Sequence, residues 1–441
     1  MICSRSLKRR LPRMKSICRK KIIWPLLCVL CVIVLVWTTE DLVLPFQRFQ
    51  SFGPVLNHKW TSVKGSDLYV FSAYFTGRDN LVRIVSLGPT VSTARVTCSY
   101  YFLDDVTDKV EARDEGVAGS IHQMRDHHGM KFNNLEITCP LKKGSYPHFV
   151  GLSGTRTSPK NYLKINYPPT QSFKAEFTVC IPAIHSNFSG MTEVVQTLEF
   201  DQMLGARDFT IYYTSAAPEV DAVLRMYRDR GVVKVVPWYP PDVDVHYHAQ
   251  IASVRDCFYR NMHTSNYIVF KDLDEILLPH KHRTWQQLLD YIMERRPHAG
   301  AFVFRNSFLH KLGPDITDGM GNVDIQISKT FGLYTLLKRQ RQTVIWKYNM
   351  RAKFIVNPMR VHNVEIHEVK DLMKGYSREV VNESLGLLFH YKQFVDAKIK
   401  TVKDSAALRY REELINRVKE IYHILNTQYQ RSTFTQLRLL R

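Results

Sequence analysis

The sequence predicts an α/β fold built on a parallel sheet, preceded by an antiparallel β module and tethered by an N-terminal membrane span. Three observations carry this. From residue 173 onward, short apolar strands alternate with helical segments of about a dozen residues, the pattern of parallel βαβ units with right-handed crossovers. Residues 60–170 instead show β-branched and aromatic runs broken by Gly and Pro. Residues 22–37 hold no charge and directly follow a strongly basic head.

Residues 1–21 carry nine Lys or Arg and no acid. The uncharged run, extended by Thr38 and Thr39, reaches the roughly 17–25 residues that a bilayer requires. A cleaved signal peptide fits less well, because the run exceeds an ordinary h-region, bulky Trp37 closes it and no small-x-small site follows. Basic residues before the span, with Glu40 and Asp41 after it, put the N-terminus in the cytoplasm as a type II anchor. So short a span suits the thinner early secretory membranes, so a Golgi or endoplasmic reticulum membrane is expected, with the body luminal. The expected organisation is head 1–21, span 22–38, stem 39–59, β module 60–170 and α/β domain 171–430.

Of the 441 residues, 45% are hydrophobic and 12% aromatic, which excludes a disordered chain and implies a large core. The net charge of +20 invites a nucleic-acid reading, yet nearly half of it sits on the head. A second basic stretch, residues 338–360, has seven Lys or Arg and no carboxylate. Solvated faces are the ordinary origin of such runs. The anchor keeps the body away from nucleic acid, which is excluded as a partner.

Cys3, Cys18, Cys28 and Cys31 fall in the head and span. Cys98, Cys139, Cys180 and Cys257 are luminal and even in number, as disulfides in an oxidising compartment require. Three connectivities are open; proximity in sequence favours Cys98–Cys139 with Cys180–Cys257. Asn187 and Asn382 open glycan acceptor sequons, in keeping with a luminal body.

Within the β module, strands are expected at 67–75, 81–87 and 94–102, and the module either binds a sugar or braces the α/β domain. The α/β series runs strand 177–182, helix 191–204, strand 209–213, helix 218–230 opened by Pro218, strand 232–237, helix 249–263 and strand 267–272. In such sheets ligands sit beyond the carboxyl ends of the strands. The fourth strand ends there in Asp272-Leu273-Asp274-Glu275. Three carboxylates in four residues repel one another, and Asp272 and Asp274 project to one side if the strand stays extended. A hard divalent cation relieves the repulsion and can hold a diphosphate leaving group. A luminal, anchored protein with this cluster on a βα series reads as a transferase using a nucleotide sugar.

The chain resembles glycosyltransferase family 92 over about residues 60–395. The resemblance rests on 68–75 with Arg78; Val179-Cys180-Ile181-Pro182; Tyr212 and Tyr213; Val236-Pro237-Trp238-Tyr239; Gln250 with 255–260; Asp272-Leu273-Asp274-Glu275; and Phe389-His390-Tyr391. It implies a GT-A type α/β/α domain that transfers galactose from UDP-galactose to a terminal sugar of a glycoprotein glycan. The implied acceptor is a β-galactoside and the linkage β-1,4, with Mn²⁺ as cofactor and Mg²⁺ as the alternative. An α-linked donor and a β-linked product make the reaction inverting, which requires a general base on the acceptor hydroxyl.

By the same resemblance, Asp274 binds the metal and Asp272 touches metal or ribose. A downstream histidine, His390 or His362, completes the metal site, with His390 favoured because it ends an apolar strand. Arg255 and Asp256 lie where related transferases contact the donor, and Arg suits diphosphate. Asp315 and Asp318, in a glycine-containing loop after the strand at 301–308, are candidates for the base. Another donor sugar, a homodimer and a catalytically silent luminal glycan-binding protein are the alternatives. Clustered repulsive charge is a feature that a silent site does not need.

Overall fold

The computed structural model describes residues 59–428, apart from 92–93, 104–109, 125–126, 155–158, 171–173, 394–395 and 397. The expected head, span and nearly all of the stem lie outside the described residues. Among the described residues, no helix is long and apolar enough to cross a membrane.

Eight strands come first: β1 (Thr61–Ser62), β2 (Tyr69–Phe75), β3 (Leu81–Pro89), β4 (Val96–Leu103), β5 (Val110–Gln123), β6 (Phe132–Pro140), β7 (Phe149–Ser153) and β8 (Leu163–Asn166). They pair in the order β1-β2-β3-β6-β5-β4-β7-β8, and β8 also meets β2 in parallel, so the sheet returns on itself. Alternating residues such as Val70, Val82, Ile84, Ile137, Val150 and Leu152 fill its interior, together with the Cys98–Cys139 disulfide.

The α/β series then runs β9 (Ala175–Ile184), α1 (Met191–Leu204), β10 (Ala206–Tyr213), α2 (Pro218–Asp229), β11 (Val233–Pro237), α3 (Gln250–Asn261) and β12 (Ser265–Phe270). β11-β10-β9-β12 are parallel neighbours. β9 buries Phe177, Val179 and Ile181 in one core and Cys180 in another, which is why it reads as a continuous apolar run. After it come β13 (Glu275–Pro279), α4 (Trp285–Met293), β14 (Ala299–Phe304), β15 (Asn306–His310), α5 (Asn322–Thr330), α6 (Tyr334–Leu337) and β16 (Gln340–Gln342). The chain closes with β17 (Lys353–Val356), β18 (Ser377–Val380), β19 (Gly386–Lys392), β20 (Thr401–Lys403) and α7 (Arg411–Gln428). The parallel sheet continues as β12-β17-β14-β18, with β17 antiparallel to both neighbours, and a second sheet has the order β13-β19-β15-β16-β20.

Two features fix α3, the helix before the acidic cluster. The Cys180–Cys257 disulfide fastens it to β9, and β2 braces it from the other side. The helix begins one residue later than expected. Tyr247, His248 and Ala249 adopt left-handed φ of 44°, 51° and 59°, a costly run for non-glycine residues and one that stands beside the cleft holding Asp272 and Asp274.

Candidate active site

β12 ends at Phe270, and Lys271 turns inward to a fully buried ion pair with Asp201 at 2.7 Å. The acidic cluster therefore leaves the sheet as a turn, with the Glu275 amide donating to the Asp272 carbonyl at 3.3 Å. This corrects the expectation of an extended strand carrying Asp272 and Asp274 on one side. The turn sends the two carboxylates to different partners. Asp272 accepts from Lys353 Nζ at 3.0 Å and from Gln250 Nε2 at 3.2 Å, whereas Asp274 Oδ2 meets His390 Nε2 at 3.2 Å.

Both carboxylates open into a cleft of about 560 Å³, which Glu193, Arg351, His390 and Lys392 also line. Its floor is electrostatically organised. Glu275, 1% exposed, accepts from the Asp272 amide at 2.8 Å, lies 3.1 Å from His390 Nδ1 and is 3.7 Å from Lys353 Nζ. The Asn306 amide stands 3.2 Å from the same imidazole nitrogen. Burial works against a charge on Glu275, yet Lys353 and His390 hold its carboxyl well below the usual range. Burial also opposes the His390 charge, but Glu275 and Asp274 outweigh it and push the imidazole up to about 9. Burial pushes the Asp272 carboxyl up; Lys353 pulls against this, and Glu275 and Asp274 add to it.

These residues fit a hard divalent cation. Among the described residues, no group of three or more His, Cys, Asp or Glu rings a metal on its own. Mg²⁺-like ions need none, because one or two carboxylates plus substrate phosphates complete the shell. A buried carboxylate on one imidazole nitrogen, with the other nitrogen turned to a second carboxylate, is the support that metal-binding histidines ordinarily have.

The other expected site residues lie elsewhere. Asp256 is fully buried and accepts from Ser72 Oγ and Tyr74 OH, each at 2.6 Å, from Tyr212 OH, and from Arg260 at 2.8 Å. Burial works against its charge, yet Arg260 and the three hydroxyls hold its carboxyl below the usual range. Arg255 is also buried, on Glu136 at 3.5 Å and the Met124 sulfur. Neither faces the cleft, which corrects their donor-binding assignment. Both tie α3 to the β module instead. His362 is exposed beyond β17, outside the cleft lining, and so stands apart from Asp274. Asp315 and Asp318 are exposed loop residues ion-paired to Lys338 at 2.7 Å and Lys403 at 3.0 Å, also outside the lining. Of the two sequon asparagines, Asn187 is exposed just before α1, and exposed Asn382 accepts from the Ser384 amide at 2.9 Å.

Sequence reading passed over Glu193, and it met Gln250 only among the residues that carry the family resemblance. Within the basic stretch Lys353, like Lys347 and Arg351, reads as a residue that neutralises UDP or joins a solvated face, but a lysine opening the apolar strand Lys353-Phe354-Ile355-Val356 has to be buried with a partner. Glu193, in the first turn of α1, has the ordinary look of an acid placed on a helix dipole.

Comparison with known proteins bears on this cleft. Residues 175–430 match the family model of Glycosyltransferase family 92. Two Caenorhabditis elegans relatives are similar. Beta-1,4-galactosyltransferase galt-1 is 25% identical over 178 residues, covering 36% of this chain and 41% of the relative. Glycosyltransferase family 92 protein F13G3.3 is 19% identical over 355 residues, covering 77% and 66%. The chain thus spans less than two thirds of either relative. Among solved structures, S. aureus TarS 1-349 in complex with UDP-GlcNAc aligns at a TM-score of 0.27 and 11% identity over 57% of this chain and 67% of that one, a likeness too slight to bear on function. With the family model matching more than half of its length, the chain belongs to glycosyltransferase family 92.

Proposed function

We propose that the protein transfers galactose from UDP-galactose, with inversion, to the terminal β-galactoside of a glycoprotein glycan, forming a β-1,4 linkage with Mn²⁺ as cofactor. The observation that carries this reading is the Asp274–His390 pair beside Asp272 in the cleft of a family 92 chain. The activity for which the galt-1 relative is named supports the sugar and the linkage. Asp274 and His390 would hold the cation, which when bound neutralises the diphosphate as it leaves; Mg²⁺ would serve by the same chemistry. Asp272, kept in place by Lys353 and Gln250, faces the donor. Residues 22–38 serve as a type II anchor that holds the protein in the Golgi membrane.

The test is transfer by the full chain in detergent, from a panel of UDP-sugars to a glycan array, with Mn²⁺, with EDTA and with Asp274→Ala. Galactose transfer abolished by EDTA and by the substitution is expected. Activity indifferent to both would refute the metal site, and a different preferred donor would refute galactose. Glycan binding without turnover would mark a silent glycan-binding protein.

A further inference from the structure

Three carboxylates line the cleft among the described residues: Asp272, Asp274 and Glu193. The first two are engaged with Lys353, Gln250 and His390. Glu193 projects from the first turn of α1 and feels the charge of Asp274. Lys311, directly after β15, grips its Oε2, and the Lys311 ammonium lies 4.8 Å from the centre of the Tyr334 ring. No other hydrogen bond to the Glu193 carboxylate occurs among the described residues, so Oε1 is left to the cleft. A carboxylate whose one oxygen is fixed by a third group while the other faces the reaction space is the arrangement that activating a hydroxyl needs.

We infer that Glu193 is the general base of the transfer and that Lys311 is the positioning residue that aims it. The inference rests on the inverting reading proposed above and fills the place of Asp315 and Asp318, which do not line the cleft. As the acceptor oxygen bonds to the anomeric carbon, its proton passes to Glu193 Oε1. The bond from that carbon to the diphosphate oxygen breaks, and its electron pair leaves with UDP. The proton on Glu193 then passes to water, restoring the carboxylate for the next turnover. Burial pushes the Glu193 carboxyl up, with Lys311 opposing, which makes it a stronger base than an exposed glutamate.

The experiment compares wild type, Glu193→Gln and Lys311→Gln as full chains, with UDP-hexoses and β-galactoside acceptors, reading product anomeric configuration by NMR. Glu193→Gln should lower kcat about 10²–10⁴-fold, the usual worth of a general base, while UDP affinity changes less than about twofold. Lys311→Gln retains the base but removes the charge that holds its carboxyl down, so the acid limb of the kcat profile should move to higher pH. Retention of more than about a tenth of kcat by Glu193→Gln would overturn the inference. So would loss of UDP affinity in step with kcat, or an unmoved acid limb in Lys311→Gln, the decisive variant if Glu193→Gln fails to fold. An α-linked product from wild type, or no transfer at all, would overturn it as well. Inversion from a different UDP-hexose would overturn the galactose reading and leave the base standing.

Discussion

Glu275 and His390 face each other directly across β13 and β19, and Glu275 Oε1 lies 3.1 Å from His390 Nδ1. The strand register thus sets the imidazole orientation, leaving Nε2 directed at Asp274. A buried carboxylate in this role raises the ligand strength of the imidazole, and its loss typically costs 10–100-fold in metal affinity. Glu275→Gln is therefore expected to weaken Mn²⁺ binding by about 10–100-fold, measured by titration calorimetry with UDP present. Unchanged affinity would show that the pairing does not support a metal ligand.

Asp256 carries a different load. Three hydroxyls and the Arg260 guanidinium converge on it in the interior, and Ser72 and Tyr74 arrive from the β module. Asp256→Ala leaves Arg260, which is only about one-fifth exposed, without its partner, a loss that typically destabilises by about 3–5 kcal/mol. Urea unfolding should show a midpoint lowered accordingly. Were Asp256 a donor ligand, the variant would instead keep its stability and lose UDP affinity.

The Cys180–Cys257 disulfide spans 77 residues of sequence and joins β9 to α3. Constraint of the unfolded chain over such a loop is worth about 4 kcal/mol. Replacing both cysteines with serine should lower unfolding stability by that order. Gln250, on the same helix, meets Asp272, so UDP affinity should fall too. A variant of full stability would mean that packing alone seats α3.

Periodicity exposed the βαβ series because each strand is covered on both faces. Proximity exposed the disulfides because Cys98 with Cys139, and Cys180 with Cys257, sit on elements that pack together. His390 was legible as the end of an apolar strand, and β13 pairs beside it. Orientation was not legible. Arg255 and Asp256 are adjacent on α3, but both faces of that helix are buried, so nearness to the acidic cluster in sequence did not bring them to the cleft. Glu193 lies about eighty residues before Asp274 and reaches it only through the packing of α1 beside β13, a long-range contact that no local pattern encodes.

The metal-free protein should also respond to pH in opposite senses on its two sides. An unfolded histidine titrates near 6.5, whereas Glu275 and Asp274, against the opposition of burial, push His390 up to about 9. Between those values the folded chain holds a proton that the unfolded chain has released, so stability falls as pH rises. Below about 6.5 this contribution is complete. His185, His263, His280 and His282 behave in reverse, because burial lowers each of them. As pH falls below about 6.5 the unfolded chain takes up protons that the folded one refuses, and stability falls again. Melting temperature measured in EDTA across this range should therefore decline on both sides, with an alkaline loss on the order of 3 kcal/mol from His390. His390→Asn should flatten the alkaline arm and leave the acid arm intact, because the four lowered histidines remain. An alkaline arm that survives the substitution would assign that loss to other groups and would mean that Glu275 and Asp274 do not hold His390 protonated.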